Sequence, residues 1–200
     1  DCSKIAITTN GDLNDLLKSK FINSDNTVED ELTKNVATIG ENLNIRRIEK
    51  INLDEPGVIV SYVHNSVSEN LGKIAVILSL KSNANQNSLE NIGKKIAMHI
   101  AASNPISLNL EELDPKIVNK EKQVLIEQAI SSGKPKDIAE KMVEGRIRKF
   151  CDEVVLLEQT FVIDGKSKIK DVLKQYSREL GTEVSIDAFK MLILGQGIEV

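Results

Sequence analysis

Two histidines, His64 and His99, and two cysteines, Cys2 and Cys151, are the first places to look for acid–base, metal or nucleophilic chemistry. Neither histidine has a Cys, Asp or Glu at metal-ligand spacing, which argues against zinc. His64 falls at the end of a predicted strand, where the chain enters a polar loop. His99 lies on the flank of a helical apolar stripe. Both are expected to be surface or partly buried structural histidines. Cys151 sits beside a helical seam on a charged face and reads as a harmless thiol rather than a nucleophile. No G-x-S-x-G elbow occurs. The run "DGKSK" (164–168) resembles the end of a phosphate-binding loop. That loop needs a Gly five residues before Gly165, where Thr160 stands, so a plain capped turn is expected. No cofactor is implied.

The stretch "SGKPKDIAEKMVEGRIRKF" (132–150) is rich in charge but holds no nucleophile beside a base. Asp137 with Lys141 and Glu144 with Arg148 are i,i+4 pairs that solvate a helix. The formal net charge of -4 and aromatic content of 3%, with no Trp, argue against a surface that neutralises or stacks nucleic acid. The longest apolar run, near 74–80, is far too short to span a bilayer, and no signal peptide is apparent. Two distant cysteines make no disulfide framework, so a reducing cytosol is the expected compartment. The chain starts without Met and in mid-pattern, which reads as a piece of a longer protein.

The elements that must carry these residues follow from periodicity. Val28, Leu32, Val36 and Ile39 fall on one face of a helix from about Val28 to Ile39. Asn26 or Thr27 can cap it, and Gly40 suits its left-handed end. "NIRRIEKINL" (44–53) reads as a strand. "GVIVSYVH" and "GKIAVILSLKS" read as an antiparallel pair. The helix at "NSLENIGKKIAMHIAASNP" has the stripe Leu89, Ile92, Ile96 and Ile100 beside a smooth ridge of Gly93, Ala97 and Ala101. Another backbone can approach that ridge closely. Two helical runs then flank "SSGK", with Pro115 and Pro135 at first-turn positions. In the second run Ala139, Val143, Ile147, Phe150, Val154 and Leu157 repeat mostly as a coiled-coil seam. A short turn between such helices makes an antiparallel hairpin, its first arm about 25 Å long. A helix capped by Ser167 and closed by Gly181, then a strand at "EVSIDAFKMLILG", complete the chain.

The expected fold class is α+β: two small subdomains, each with helices on an antiparallel sheet, plus an inserted antiparallel coiled-coil hairpin. The N-terminal core subdomain is placed at 1–57. The C-terminal one is placed at 58–200, with the hairpin at about 108–157.

Several long motifs, in order, resemble bacterial elongation factor Ts. They are "IGENLNIRR" (39–47), "SYVH" (61–64), "IAMHIAASNP" (96–105), "SGKPKDIAEKMVEGRIRKF" and "LLEQTFVID" (156–164). The last departs from the family where Thr160 replaces a frequent Pro, and the likeness is weakest over residues 1–27. The resemblance implies a guanine-nucleotide exchange factor of protein synthesis. Such factors act by binding the nucleotide-free form of the GTPase elongation factor Tu more tightly than its GDP form, not as enzymes. It implies that Ile39 and Gly40 approach the partner's GTP-binding domain, and that His64 lies at the same face. It implies that Phe161, Val162 and Ile163 contact another domain of the partner. Homodimerisation is also implied.

The family's Thr-Asp-Phe element, which wedges beside the partner's magnesium site, has no match here. Nor has its N-terminal ubiquitin-associated-like module. The chain is therefore expected to dock while exchanging poorly. A structural or dimerisation module without exchange activity is the alternative. An enzyme with an unrecognised site is disfavoured by the lack of any acid–base or nucleophile–base pair.

Overall fold

The computed structural model describes residues 1–133 and 135–197; for Lys136, Ala139 and Glu140 the backbone alone is described. The chain divides into two compact units, Asp1–Asn52 and Leu53–Val200.

In the first unit, α1 (Cys2–Ala6), α2 (Leu13–Lys18) and α3 (Val28–Ile39) gather around the buried side chains Ile5, Leu16 and Val28. The two short helices carry no periodicity long enough to read from sequence. Their visible signal is the Asp12 carboxylate, which caps α2 by accepting from the Asp15 N–H. Helix α3 starts where predicted. Thr27 and Asp30 form a reciprocal capping box, and Gly40 closes the helix at φ 78°. In its first turn, Glu31 accepts from Asn26, Ser24 and Lys34, which lower its carboxyl to about 2.

The strand expected at 44–53 is not formed. A strand needs a ladder partner, and the first unit contains none among the described residues. Ile45 and Ile48 instead pack on the unit's small core, and Lys50 Nζ donates to the carbonyls of Ile7 (2.8 Å) and Thr9 (3.1 Å). The apolar spacing that suggested a strand thus serves side-chain docking.

The second unit is built on a three-stranded antiparallel sheet, β1 (Gly57–Ser68), β2 (Leu71–Lys81) and β3 (Ser185–Ile193), in that order. The predicted pair of β-rich runs is β1 and β2, in register Val60↔Leu78 and His64↔Ile74. Helix α4 (Gln86–Ser103) packs on β1 and β2. Its stripe of Leu89, Ile92, Ile96 and Ile100 is buried together with Val58, Val60, Val76, Leu78 and Leu80. Each such side chain contributes roughly 1.5–3 kcal/mol. The small-residue ridge has the expected use. A Cβ on Gly93 would stand 2.8 Å from Val60 Cγ2, so glycine is what lets α4 lie against β1. Asn104, left-handed at φ 49°, and Pro105 end the helix.

Beyond it run α5 (Pro115–Ser131) and α6 (Lys136–Val154), which pack on each other. Pro115 takes the first turn as expected, with Asp114 accepting from the Lys116 N–H. Along the α6 seam Val143 is fully buried, while Ile147, Phe150 and Val154 are half-buried. Ala139 of that seam lies outside the described side chains, and Leu157 lies past the helix end, in a 3₁₀ turn (Leu156–Glu158). The roots of the two arms are joined by backbone bonds. Ile106 N–H donates to Val154 O, Leu156 N–H to Ser107 O, and Leu157 N–H to Leu108 O. Helix α7 (Ile169–Leu180) follows. Lys168 stands at its N-cap rather than the predicted Ser167, whose N–H is instead engaged by Asp164. No described helix is long and apolar enough to cross a membrane.

Candidate functional site

Ile39 and Gly40 end α3 in the first unit. Burial fades along the apolar face of this helix: Val28 at its start is 1% exposed, whereas Ile39 at the far end is 56% exposed. A C-capping Gly40 with nothing within 4 Å of a virtual Cβ leaves that apolar tip open. The sequence showed the periodic face but not that the core stops short of its last member.

In the second unit His64 is not at a strand end. The ladder continues through Ser66 and Ser68 to a tight turn, because the polar residues after His64 still pair with Gly72 and Leu71. His64 is half-buried, and its Nδ1 lies 3.1 Å from the Tyr62 hydroxyl. Both residues alternate onto the face of β1 that carries Val60, whose side chain meets Gly93 of α4.

The 161–163 trio is split by burial. Phe161 is 4% exposed and belongs to the core; Val162 and Ile163 are 46% and 48% exposed. The segment is held from below by His99. Contrary to the sequence expectation, His99 is fully buried. Its burial partners come from elements remote in sequence, which periodicity cannot reveal. The Phe161 ring is 5.8 Å away, and the Val162 N–H donates to His99 Nδ1 at 3.3 Å. A backbone N–H can only donate, so Nδ1 must accept and the ring proton resides on Nε2. That nitrogen faces Gln159 Oε1 at 3.0 Å. The Gln159 amide nitrogen in turn donates to the carbonyls of Glu153 (2.7 Å) and Ser103 (3.2 Å), which fixes the amide's orientation. Gln159 is 4% exposed. Burial lowers the His99 pKa, partly opposed by the Gln159 bond, so the ring is held neutral. Sequence reasoning missed Gln159 altogether, since a lone glutamine carries no spacing signal.

The residues after the trio form the turn that "DGKSK" suggested. The Asp164 carboxylate accepts from the N–H groups of Lys166 (2.9 Å) and Ser167 (3.0 Å). Those bonds hold it below the usual carboxylate range. The N–H groups that would cradle a phosphate are thus occupied by the chain's own anion. The adjoining cluster is also ionic. Lys168 bridges Asp152 and Glu158 at 2.8 Å each, and Lys170 joins Glu158. Cys151 has its thiol pushed up by burial and then by Asp152, the reverse of activation. Among the described residues no group of His, Cys, Asp and Glu could hold a metal ion. Each unit offers exposed apolar side chains, Ile39 in the first and Val162 and Ile163 in the second, which suits binding.

The comparisons with known proteins agree in direction. The sequence model of the family described as "Elongation factor TS" matches residues 2–196. Elongation factor Ts of Rhodospirillum centenum is 45% identical over 197 residues, covering 98% of this chain and 64% of that protein. Elongation factor Ts of Orientia tsutsugamushi is 45% identical over 92% of the chain and 59% of its own length. That of Rickettsia felis is 47% identical, with 92% and 60% covered. The chain thus spans less than two thirds of the length of these relatives. With nearly every residue inside the match, and the motif-bearing segments seated on the elements just described, the chain belongs to the elongation factor Ts family.

Proposed function

We propose that this chain binds elongation factor Tu and serves guanine-nucleotide exchange in protein synthesis, acting by differential binding in the cytoplasm. The family match over residues 2–196 carries this reading. Two contact elements are assigned. Ile39 and Gly40, with His64, face the partner's GTP-binding domain. Val162 and Ile163, anchored by Phe161, face another of its domains. The open apolar tip of α3 and the exposed Val162–Ile163 pair support this division. Residues 1–57 and 58–200 are taken as the two core subdomains, and 108–157 as an antiparallel coiled-coil insertion. The mutual packing of α5 and α6 around the buried Val143 supports that last assignment.

For these 200 residues, docking is expected to outlast exchange. Stopped-flow release of a fluorescent GDP analogue tests this, with the chain run beside the Rhodospirillum centenum protein. The chain should bind nucleotide-free elongation factor Tu yet accelerate release far less. Equal acceleration would show that these 200 residues suffice for exchange. Absence of binding would show that the assigned contacts do not suffice.

A second reading, a dimerisation module without exchange activity, is favoured by apolar side chains left open on and beside the sheet. Ile59, Val67, Leu71 and Leu194 are 47%, 78%, 61% and 77% exposed. Sedimentation equilibrium showing monomer alone at high micromolar concentration would remove it.

A further inference from the structure

His99 and Gln159 take no part in the contacts assigned above, yet His99 is hydrogen-bonded to the backbone of one of them and Gln159 to His99. They join three separate pieces of backbone: the end of α4 at Ser103, the end of α6 at Glu153, and the segment 159–162. Every hydrogen-bonding nitrogen of the imidazole is committed. Nδ1 accepts from Val162 and lies 3.3 Å from the Ser103 hydroxyl, and Nε2 donates to Gln159. A buried network in which each member is satisfied holds its geometry, since any displacement strands a polar group away from water. Phe161 fills the space beside the ring, and its N–H and carbonyl are tied within the following turn to Ser167 O and the Gly165 N–H, so the His99 bond is what ties this segment to α4 through Val162.

We propose that His99 is the positioning residue of the Val162–Ile163 contact element. Its neutral imidazole pins the Val162 backbone so that the two exposed side chains are presented in one orientation. This rests on the reading of Val162 and Ile163 as partner contacts. His99 itself touches no partner.

The test uses two near-isosteres on this chain. His99→Asn keeps an acceptor where Nδ1 stands and loses the Nε2 donor. His99→Gln keeps a donor near Nε2 and loses the acceptor. The first readout is hydrogen exchange of the Val162 amide. It should stay slow in His99→Asn and speed up by about tenfold, the value of one buried hydrogen bond, in His99→Gln. The second is affinity for nucleotide-free elongation factor Tu, which should follow the same order. The third is the ¹⁵N spectrum of the native ring, which should report the Nε2–H tautomer at neutral pH. A merely structural histidine would give equal Val162 exchange in the two variants, and that result overturns the proposal whatever the affinities. A ring protonated on Nδ1 overturns it as well. Ile163→Asp separates the two ideas. If it leaves affinity unchanged while His99→Gln still frees the amide, the contact reading has failed. The claim that His99 positions a binding element then fails with it.

Discussion

At Gly93 a methyl group would lie 2.8 Å from one Val60 methyl and 3.0 Å from the other. Gly93→Ala should gain up to about 1 kcal/mol in helix propensity and lose about 1–3 kcal/mol through overpacking. A net loss in urea denaturation is the expected result; a gain would mean that α4 can lift from the sheet freely. His99 gives a pH-dependent prediction. The unfolded imidazole takes up its proton near 6.5, whereas in the folded chain burial lowers the pKa. The unfolded state therefore binds more protons below that value. The stability contributed is full above pH 6.5 and is lost as pH falls toward the lowered folded value. Melting temperature should decline between pH 7 and 5.5, above the range where the hydrogen-bonded carboxylates Glu31, Glu158 and Asp164 begin to protonate. His99→Asn should flatten that decline, and an unchanged slope would remove the assignment. These two residues also mark what a sequence discloses. Gly93 was legible because its partners in the ridge recur along one helix. His99 was not, because Gln159 lies 60 positions away and Val162 lies 63. The exposure of Ile39 was equally hidden, since periodicity names a face without saying how far the core beneath it extends.

Among the elements, the paired helices α5 and α6 depend on few deeply buried side chains. Val143 is 0% exposed, while Ile147 one turn later is half-buried. Val143→Asp should cost roughly 3 kcal/mol or more by burying an unpaired charge, and Ile147→Asp clearly less, because its carboxylate can reach water. Thermal denaturation of both variants checks the order; equal losses would mean that the seam is centred elsewhere. Helices α3 to α7 and strands β1–β3 were readable because each is set by local period or capping, whereas α1 and α2 are too short to show a period. The strand expected at 44–53 shows the limit. Recurrent apolar residues such as Ile45, Ile48 and Ile51 describe a face, but a strand also needs a partner's ladder, which no local pattern supplies. The run-on of β1 past His64 is the converse case, in which pairing carries a polar segment that composition assigned to a loop.

For the molecule as a whole, the two units differ in how much apolar material they enclose. The first buries Ile5, Leu16 and Val28; the second encloses a continuous cluster from Val58 to Ile186 around α4. A smaller core offsets less of the entropy lost on ordering the chain, so the first unit should open more readily. Native-state hydrogen exchange is expected to show weaker protection at Leu16 than at Ile96 or Ile100. Uniform protection would mean that the units unfold as one. The backbone bonds at the roots of α5 and α6 have a further consequence. Since Ile106 meets Val154, and Ser107 and Leu108 meet Leu156 and Leu157, the path departs and returns at the same spot. Topologically the stretch between is a detour, not a link. Its length adds only about 0.6 kcal/mol of closure entropy per doubling. Evolution or an engineer could therefore lengthen, trim or exchange it as a cassette without rerouting what lies on either side. Replacing the residues between Glu111 and Cys151 with a short Gly/Ser linker should leave the sheet and α4 folded. Retention of slow exchange at Ile96 and Ile100 would confirm this, and its loss would show that the detour supports the ground it leaves.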